Sequence, residues 1–252
     1  MIIQTTLPAL HWINKAALWC SALLFASALF CLSPAYAQSS HTSSVAQQDF
    51  IDLMAQLANQ QNKIISAQRH QLLQDHLKYQ LHHTLPKRPR QWVNKLARTY
   101  QLPQMDLSQE ADWVELIKRV DTIPPSLIIA QAAIESNWGR SRFAKEGYNF
   151  FGIWCYSQGC GIVPKQREKG KTFMVKSYPN ISSSLLDYYH TLNTNVHYKK
   201  FRELRYAYYL SGKPITGVLL SQSLTLYSTQ GSQYTLLVEK IINGYHLEQY
   251  NS

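Results

Sequence analysis

"SLIIAQAAIESNWG", residues 126–139, is the stretch that decides the fold. Leu127, Ile128, Ile129, Ala130, Ala132, Ala133 and Ile134 form an apolar run that closes on a carboxylate, Glu135, with Trp138 and Gly139 just behind it. A helix running into a core normally carries its charges on the opposite face, because an unpaired carboxylate in apolar surroundings costs several kcal/mol or takes up a proton. The helix begins at Pro124 and Pro125, where proline is tolerated because the first N–H groups have no intrahelical partner. Gly139 suits its end. Glu135 therefore falls in the last turn, where the negative end of the helix dipole disfavours the ionised carboxyl. Exclusion of water by Trp138 and the apolar run pushes the same way, so the pKa is expected to rise. A carboxyl that keeps its proton near neutral pH is what a general acid needs.

Downstream of this helix, "SRFAKEGYNFFGIWC" reads as a short helix and a turn. "GIVPKQ" and "KTFMVKSY" are short, β-prone and separated by "REKG", which predicts a hairpin with Gly170 in its turn. Helical periodicity returns in "SSSLLDYYHTLN", "YKKFRELRYAYYL", "TGVLLSQSLTLY" and "YTLLVEKIINGYHL". Upstream, Phe50, Leu53, Met54, Leu57, Ile64, Ile65, Leu72, Leu73 and Leu77 recur at helical spacing, predicting one long amphipathic helix or two with a kink. "WVNKLARTY" and "DWVELIKRV" are shorter helices. The fold class is mostly α (α+β), with a small β-hairpin lobe between two groups of helices. The expected organisation is a leader over residues 1–37, a flexible lead over 38–47, an N-terminal helical region over 48–122 and the acid-bearing domain over 123–252.

The first residues explain the leader. Lys15 precedes "AALWCSALLFASALFCL", and "SPAYA" supplies small residues for cleavage after Ala37, as in a secretory signal. The competing reading is an uncleaved membrane anchor, since the apolar run approaches the roughly 20 residues that span a bilayer. The formal net charge is +10, and loss of one Lys with the leader would leave +9. For an exported protein such charge points to anionic cell-envelope polymers or phospholipid surfaces and not to nucleic acid. A merely solvated basic surface is the alternative. Cys20 and Cys31 would leave with the leader, and Cys155 and Cys160 in "WCYSQGCG" read as a disulfide stapling a tight loop. Zinc is a poor alternative because no second Cys or His pair lies nearby, two free buried thiols are the other alternative, and neither metal nor cofactor is expected.

Aromatic residues gather near Glu135 in sequence: Trp138, Tyr148, Phe150, Phe151, Trp154 and Tyr156. Such faces can stack on pyranose rings, or can simply fill a core. "PPSLIIAQAAIESNWGRSRFAKEGYNFFGIWC…GCGIVP", with "DYYHTLNTN" and "YSTQGSQYTLLVEKII", resembles the bacterial Bax-like proteins of the glucosaminidase family. That family also includes autolysins and the peptidoglycan-hydrolase domain of the flagellar rod protein. The resemblance implies a lysozyme-like fold and an endo-β-N-acetylglucosaminidase that cleaves peptidoglycan glycan strands. It places the family's acid on Glu135, its "NLFG" turn on Asn149, Phe150, Phe151 and Gly152, and its "YATDPxY" segment on Tyr227 to Tyr234. Tyr227 is then expected at the active site, although Gln230 and Gly231 replace the Asp-Pro pair. Trp138, Tyr148, Asn149, Phe151, Gly152, Trp154 and Tyr234 are the expected substrate-binding residues. Glu168 occupies the lobe where relatives keep a second Glu and is the candidate second carboxylate. Asp187 is expected to make a structural contact. Two other readings are a lytic transglycosylase, against which the lack of a "GLMQ"-type segment counts, and a non-catalytic wall-binding protein, against which the presence of Glu135 counts.

Overall fold

The computed structural model describes residues 44–251. The expected secretory signal and residues 38–43 of the expected lead lie outside the described residues. Helix α1 (Val45–His82) starts inside that lead, because Ser44 and Gln47 form a capping box: each side chain satisfies the other residue's backbone N–H. It is a single helix of 38 residues. Helices α2 (Lys87–Thr99) and α3 (Glu110–Arg119) follow.

The decisive stretch is α4 (Pro125–Ser136). Leu127 to Ala132 are fully buried, as expected of a helix apolar on every side at the centre of a core. It packs against α1, against α8 (Gly217–Ser221), α9 (Ser232–Gly244) and the terminal 3-10 turn Leu247–Tyr250. The expected division at residues 122 and 123 is therefore bridged by shared packing, since α1 and α4 lie in one hydrophobic cluster.

The helix ends earlier than Gly139. Asn137, Trp138 and Gly139 all take left-handed backbone, with φ of 49°, 57° and 73°. A bulky residue at positive φ is costly. Trp138 is held there by its N–H bond to the Ala133 carbonyl (2.9 Å) and by its ring, which packs on Phe50 and Tyr245 with centroids 5.7 and 4.7 Å away.

Beyond α5 (Arg142–Gly147) come strands β1 (Trp154–Cys155), β2 (Gly161–Ile162) and β3 (Met174–Lys176). They form an antiparallel sheet in the order β1-β3-β2. The expected hairpin is present only at its base, as β2 and β3 paired through Gly161–Lys176 and Ile162–Val175; in place of a tight turn at "REKG", residues 163–173 form a loop, with Gly170 in it at φ 87°. Strand β1, on the other edge of β3, was not anticipated: two residues carry no periodicity to read. The Cys155–Cys160 disulfide forms and ties β1 to the residue preceding β2. The lobe is anchored to α6 (Ile181–Thr194) through Asp187, whose carboxylate accepts from Lys176 Nζ at 2.6 Å and the Tyr178 hydroxyl at 2.7 Å. Asp187 is a structural contact, as expected.

Helix α7 (Lys199–Leu210) completes the body. "TGVLLSQSLTLY" is helical only over α8, because the Ser221 and Ser223 hydroxyls turn back onto the Val218 and Leu220 carbonyls and the chain leaves the helix. The freed segment forms one wall of the site.

Candidate active site

Glu135 lies one residue before the end of α4 and is half-buried. Its side chain meets a cleft of about 640 Å³ lined by Glu135, Phe151, Gly152, Trp154, Thr225, Leu226, Tyr227, Ser228, Thr229 and Gly231. Burial pushes the Glu135 pKa above the ordinary carboxyl value, and a hydrogen bond from the Tyr234 hydroxyl opposes that rise. The direction matches the expectation drawn from exclusion of water around the carboxyl.

The "NFFG" turn wraps the acid. Asn149 is buried and pins the turn from within: its Nδ2 donates to the Ile153 and Lys176 carbonyls, and its Oδ1 accepts from the N–H groups of Phe151 and Ile153. Phe151 is buried and stacks on Tyr188 at 4.3 Å. Gly152 has φ 67°, and a Cβ built on it would stand 3.0 Å from Glu135 Oε2. Only glycine suits both the backbone and that approach.

Tyr227 lines the cleft while its hydroxyl donates to the Phe151 carbonyl at 2.9 Å, tying the wall formed after α8 to the turn. Its ring stacks on Tyr234, centroids 5.5 Å apart. Trp154 is exposed in the cleft and stacks on Phe173 at 4.3 Å with an interplanar angle of 11°.

Glu135, Phe151, Gly152, Trp154 and Tyr227 are thus brought together around one space. The other expected residues stand elsewhere. Trp138 packs on Phe50 and Tyr245, so its ring serves the body. Asn149 acts inside the turn, and Tyr148 is exposed at the left-handed end of α5, outside the cleft lining. Tyr234 is 2% exposed, is absent from the cleft lining and is coupled to the Glu135 charge. Glu168 is exposed in the loop between β2 and β3, where its carbonyl accepts from the Lys171 N–H, and it is not among the lining residues. Among the described residues that line the cleft, Glu135 is the one carboxylate.

Sequence reasoning missed four contributions. Gln131 is buried on α4 one turn before Glu135, and its Nε2 donates to the Tyr234 hydroxyl at 2.9 Å. Its Oε1 accepts from the Tyr188 hydroxyl at 2.6 Å. Tyr198 packs near Tyr227, and its pKa is pushed up to about 12 by burial and by the Glu135 charge. The fourth is the wall on either side of the expected Tyr227, formed by Thr225, Leu226, Ser228 and Thr229. Spacing four residues ahead of Glu135 was the available signal for Gln131; the tyrosines carry none. Among the described residues no cluster of His, Cys, Asp or Glu is placed to hold a metal ion.

Residues 111–247 match the family model "Glucosaminidase: Mannosyl-glycoprotein endo-beta-N-acetylglucosaminidase". Protein bax of Escherichia coli (strain K12) is 30% identical over 174 residues, which cover 69% of this chain and 60% of that protein. A probable N-acetylmuramidase of Lactococcus lactis subsp. cremoris (strain MG1363) is 38% identical over 77 residues, 28% of this chain and 18% of the relative. The chain therefore spans 60% or less of the length of these relatives. The catalytic domain of the autolysin Auto from Listeria monocytogenes aligns with a TM-score of 0.46 at 21% identity, covering 83% of this chain and 89% of that one.

Proposed function

The chain belongs to the glucosaminidase family, whose model spans more than half of its 252 residues, and from that membership we propose that it is an exported hydrolase of peptidoglycan glycan strands. The bond cut is the β-linkage on the reducing side of N-acetylglucosamine, and Glu135 is the general acid that protonates the glycosidic oxygen. The observation that carries this reading is a carboxyl with a raised pKa at the edge of an open cleft, held by a core helix on one side and a glycine turn on the other. Its placement is that of a lysozyme-like site, a core-helix acid facing a small sheet lobe. Tyr227 borders the place where the oxocarbenium-like sugar develops, and Trp154 offers an exposed face to a pyranose ring.

The second carboxylate in this reading is Glu168, the single acidic residue between Trp154 and Lys176. Because it stands outside the cleft lining, it reaches the sugar only when the loop between β2 and β3 folds over bound glycan. An inverting reaction would then place the two carboxyls roughly 6.5–9.5 Å apart, with a water between Glu168 and the anomeric carbon.

Mass spectrometry of muropeptides released from purified peptidoglycan tests the assignment. Products should carry N-acetylglucosamine at the reducing end. N-acetylmuramic acid there would identify a muramidase, and an anhydro end a lytic transglycosylase. Glu135→Gln should lower the rate by about 10²–10⁴-fold, as expected for loss of a general acid, with the fold retained. Equal turnover by folded mutant and wild type would remove Glu135 from the chemistry.

A further inference from the structure

Behind Glu135 lies a chain of buried polar groups that the hydrolytic reading does not itself require. Gln131, Tyr188 and Tyr234 are each no more than 2% exposed, and they come from α4, α6 and α9. The Tyr188 hydroxyl donates to Gln131 Oε1 at 2.6 Å, and Gln131 Nε2 donates to the Tyr234 hydroxyl at 2.9 Å. Each group's chemistry fixes the next. An amide oxygen only accepts and an amide nitrogen only donates, whereas a phenol hydroxyl does either, so the Gln131 amide, with its oxygen on Tyr188 and its nitrogen on Tyr234, makes Tyr188 the donor and Tyr234 the acceptor. The Tyr234 oxygen then accepts from Gln131, leaving its single proton free for another acceptor. Glu135, one turn beyond Gln131 on α4, is the carboxyl whose charge couples to this hydroxyl. Reversing the amide would turn the Tyr234 proton toward Gln131 and leave the carboxyl without this donor.

We infer that Gln131, bonded to Tyr188 through its amide oxygen and to Tyr234 through its amide nitrogen, is a positioning residue that points the Tyr234 hydroxyl proton at Glu135. The inference rests on the reading of Glu135 as the acid. With one carboxyl oxygen occupied by Tyr234, the transferable proton is confined to the other. When the Glu135 O–H bond breaks, its proton bonds to the glycosidic oxygen and that oxygen departs with the electron pair of the C–O bond. The carboxylate left behind is met by a donor already in place, so no side chain has to reorganise at that moment. Tyr227, stacked on Tyr234, and Tyr188, stacked on Phe151, keep both rings from turning away.

The test is a titration of the Glu135 carboxyl by NMR of protein labelled with 13C at glutamate side-chain carboxyls, the Glu135 resonance being the one absent from Glu135→Gln. Tyr234→Phe removes one oxygen and keeps the stacked ring, and Gln131→Met keeps the volume on α4. Loss of a hydrogen bond to the charged form favours the neutral form. In Tyr234→Phe the resonance should titrate roughly one pH unit higher, the worth of one charge-assisted hydrogen bond. Gln131→Met should move it the same way, and the high-pH limb of hydrolysis should follow both. A Glu135 titration unchanged in Tyr234→Phe overturns the inference, whatever happens to activity. A titration that moves while the activity limb stays fixed upholds the positioning chain and overturns the general-acid reading. Tyr234→Phe decides even if Gln131→Met does not fold.

Discussion

At Glu135 two opposing influences act on one carboxyl: burial raises its pKa and the Tyr234 hydrogen bond holds it down. Burial is the larger, so the folded protein binds this proton more tightly than the unfolded chain. The contribution to stability is therefore fully present below the unfolded value, about 4.5, and is lost as pH rises through the higher folded value. Glu135→Gln removes that penalty. Its melting temperature should exceed that of the wild type by a few degrees at most at pH 7.5, and the difference should vanish below about pH 4.5. Differential scanning calorimetry across that range checks it. A mutant less stable than wild type at every pH would show that the carboxyl contributes more by packing than it costs by desolvation. A residue of this kind is legible from sequence, because a carboxyl at the end of an apolar core helix is drawn part-way into the core with it.

The elements around the acid differ in how firmly they are held. The turn at Asn149 is fixed by four hydrogen bonds from one side chain, and β3 is tied to α6 through Asp187. The loop between β2 and β3 has less holding it. Arg167 donates to the Thr172 and Phe173 carbonyls within the loop, and Arg142 reaches the Val163 carbonyl at its root. Lys165, Glu168, Lys169, Gly170 and Lys171 are exposed. The disulfide ties the base of the lobe and does not reach this tip. If the loop delivers Glu168 to the bound glycan, Glu168→Gln should lower the hydrolysis rate by about 10²-fold or more, with little change in thermal stability because the site is solvated. Turnover assays at equal folded concentration measure the effect. A loss below about threefold would hand the role to the acetamido group of the substrate.

Across the molecule, α4 is positioned by charge as well as by apolar packing. Arg69 of α1 and Arg205 of α7 each lie 3.4 Å from the Asp121 carboxylate. Arg69 also donates to the Ile117 and Val120 carbonyls, and Arg205 to the carbonyls of Lys118, Asp121 and Thr122. Burial lowers the Arg205 pKa to about 10, so it stays protonated at neutral pH. The segment leading into α4 is thereby fastened to helices distant in sequence. Glu248 fastens the same end from the C-terminal side, accepting from Ser126 Oγ and from the N–H groups of Gly217 and Val218. Asp121→Ala leaves two buried guanidinium groups without their counter-charge, and breaking a buried ion pair in this way costs about 3–5 kcal/mol. Urea denaturation should show that loss; a change below about 1 kcal/mol would show that the carbonyls alone balance the arginines.

The sequence by itself determined the parts of this protein that depend on neighbours a few residues away. The apolar run of α4, the prolines at its start and the pairing of Cys155 with Cys160 are all short-range, and each is found where it was expected, while the hairpin keeps its β2–β3 pairing but opens into a loop over 163–173 where a turn at Gly170 was expected. Half-truths arose where local pattern met distant packing. In α1 the apolar Leu53, Ile64 and Leu77 face outward, while the charged Arg69 is buried because Asp121 waits for it. Only the tertiary structure decided that Trp138 packs into the body, that Thr225, Leu226, Ser228 and Thr229 join Tyr227 in walling the cleft, and that Tyr188 and Tyr234, 57 and 103 residues from Gln131, converge behind the acid. The physical reason is that a hydroxyl or an aromatic ring has no directional preference along its own chain. Its partner is chosen by which helices the hydrophobic core brings side by side.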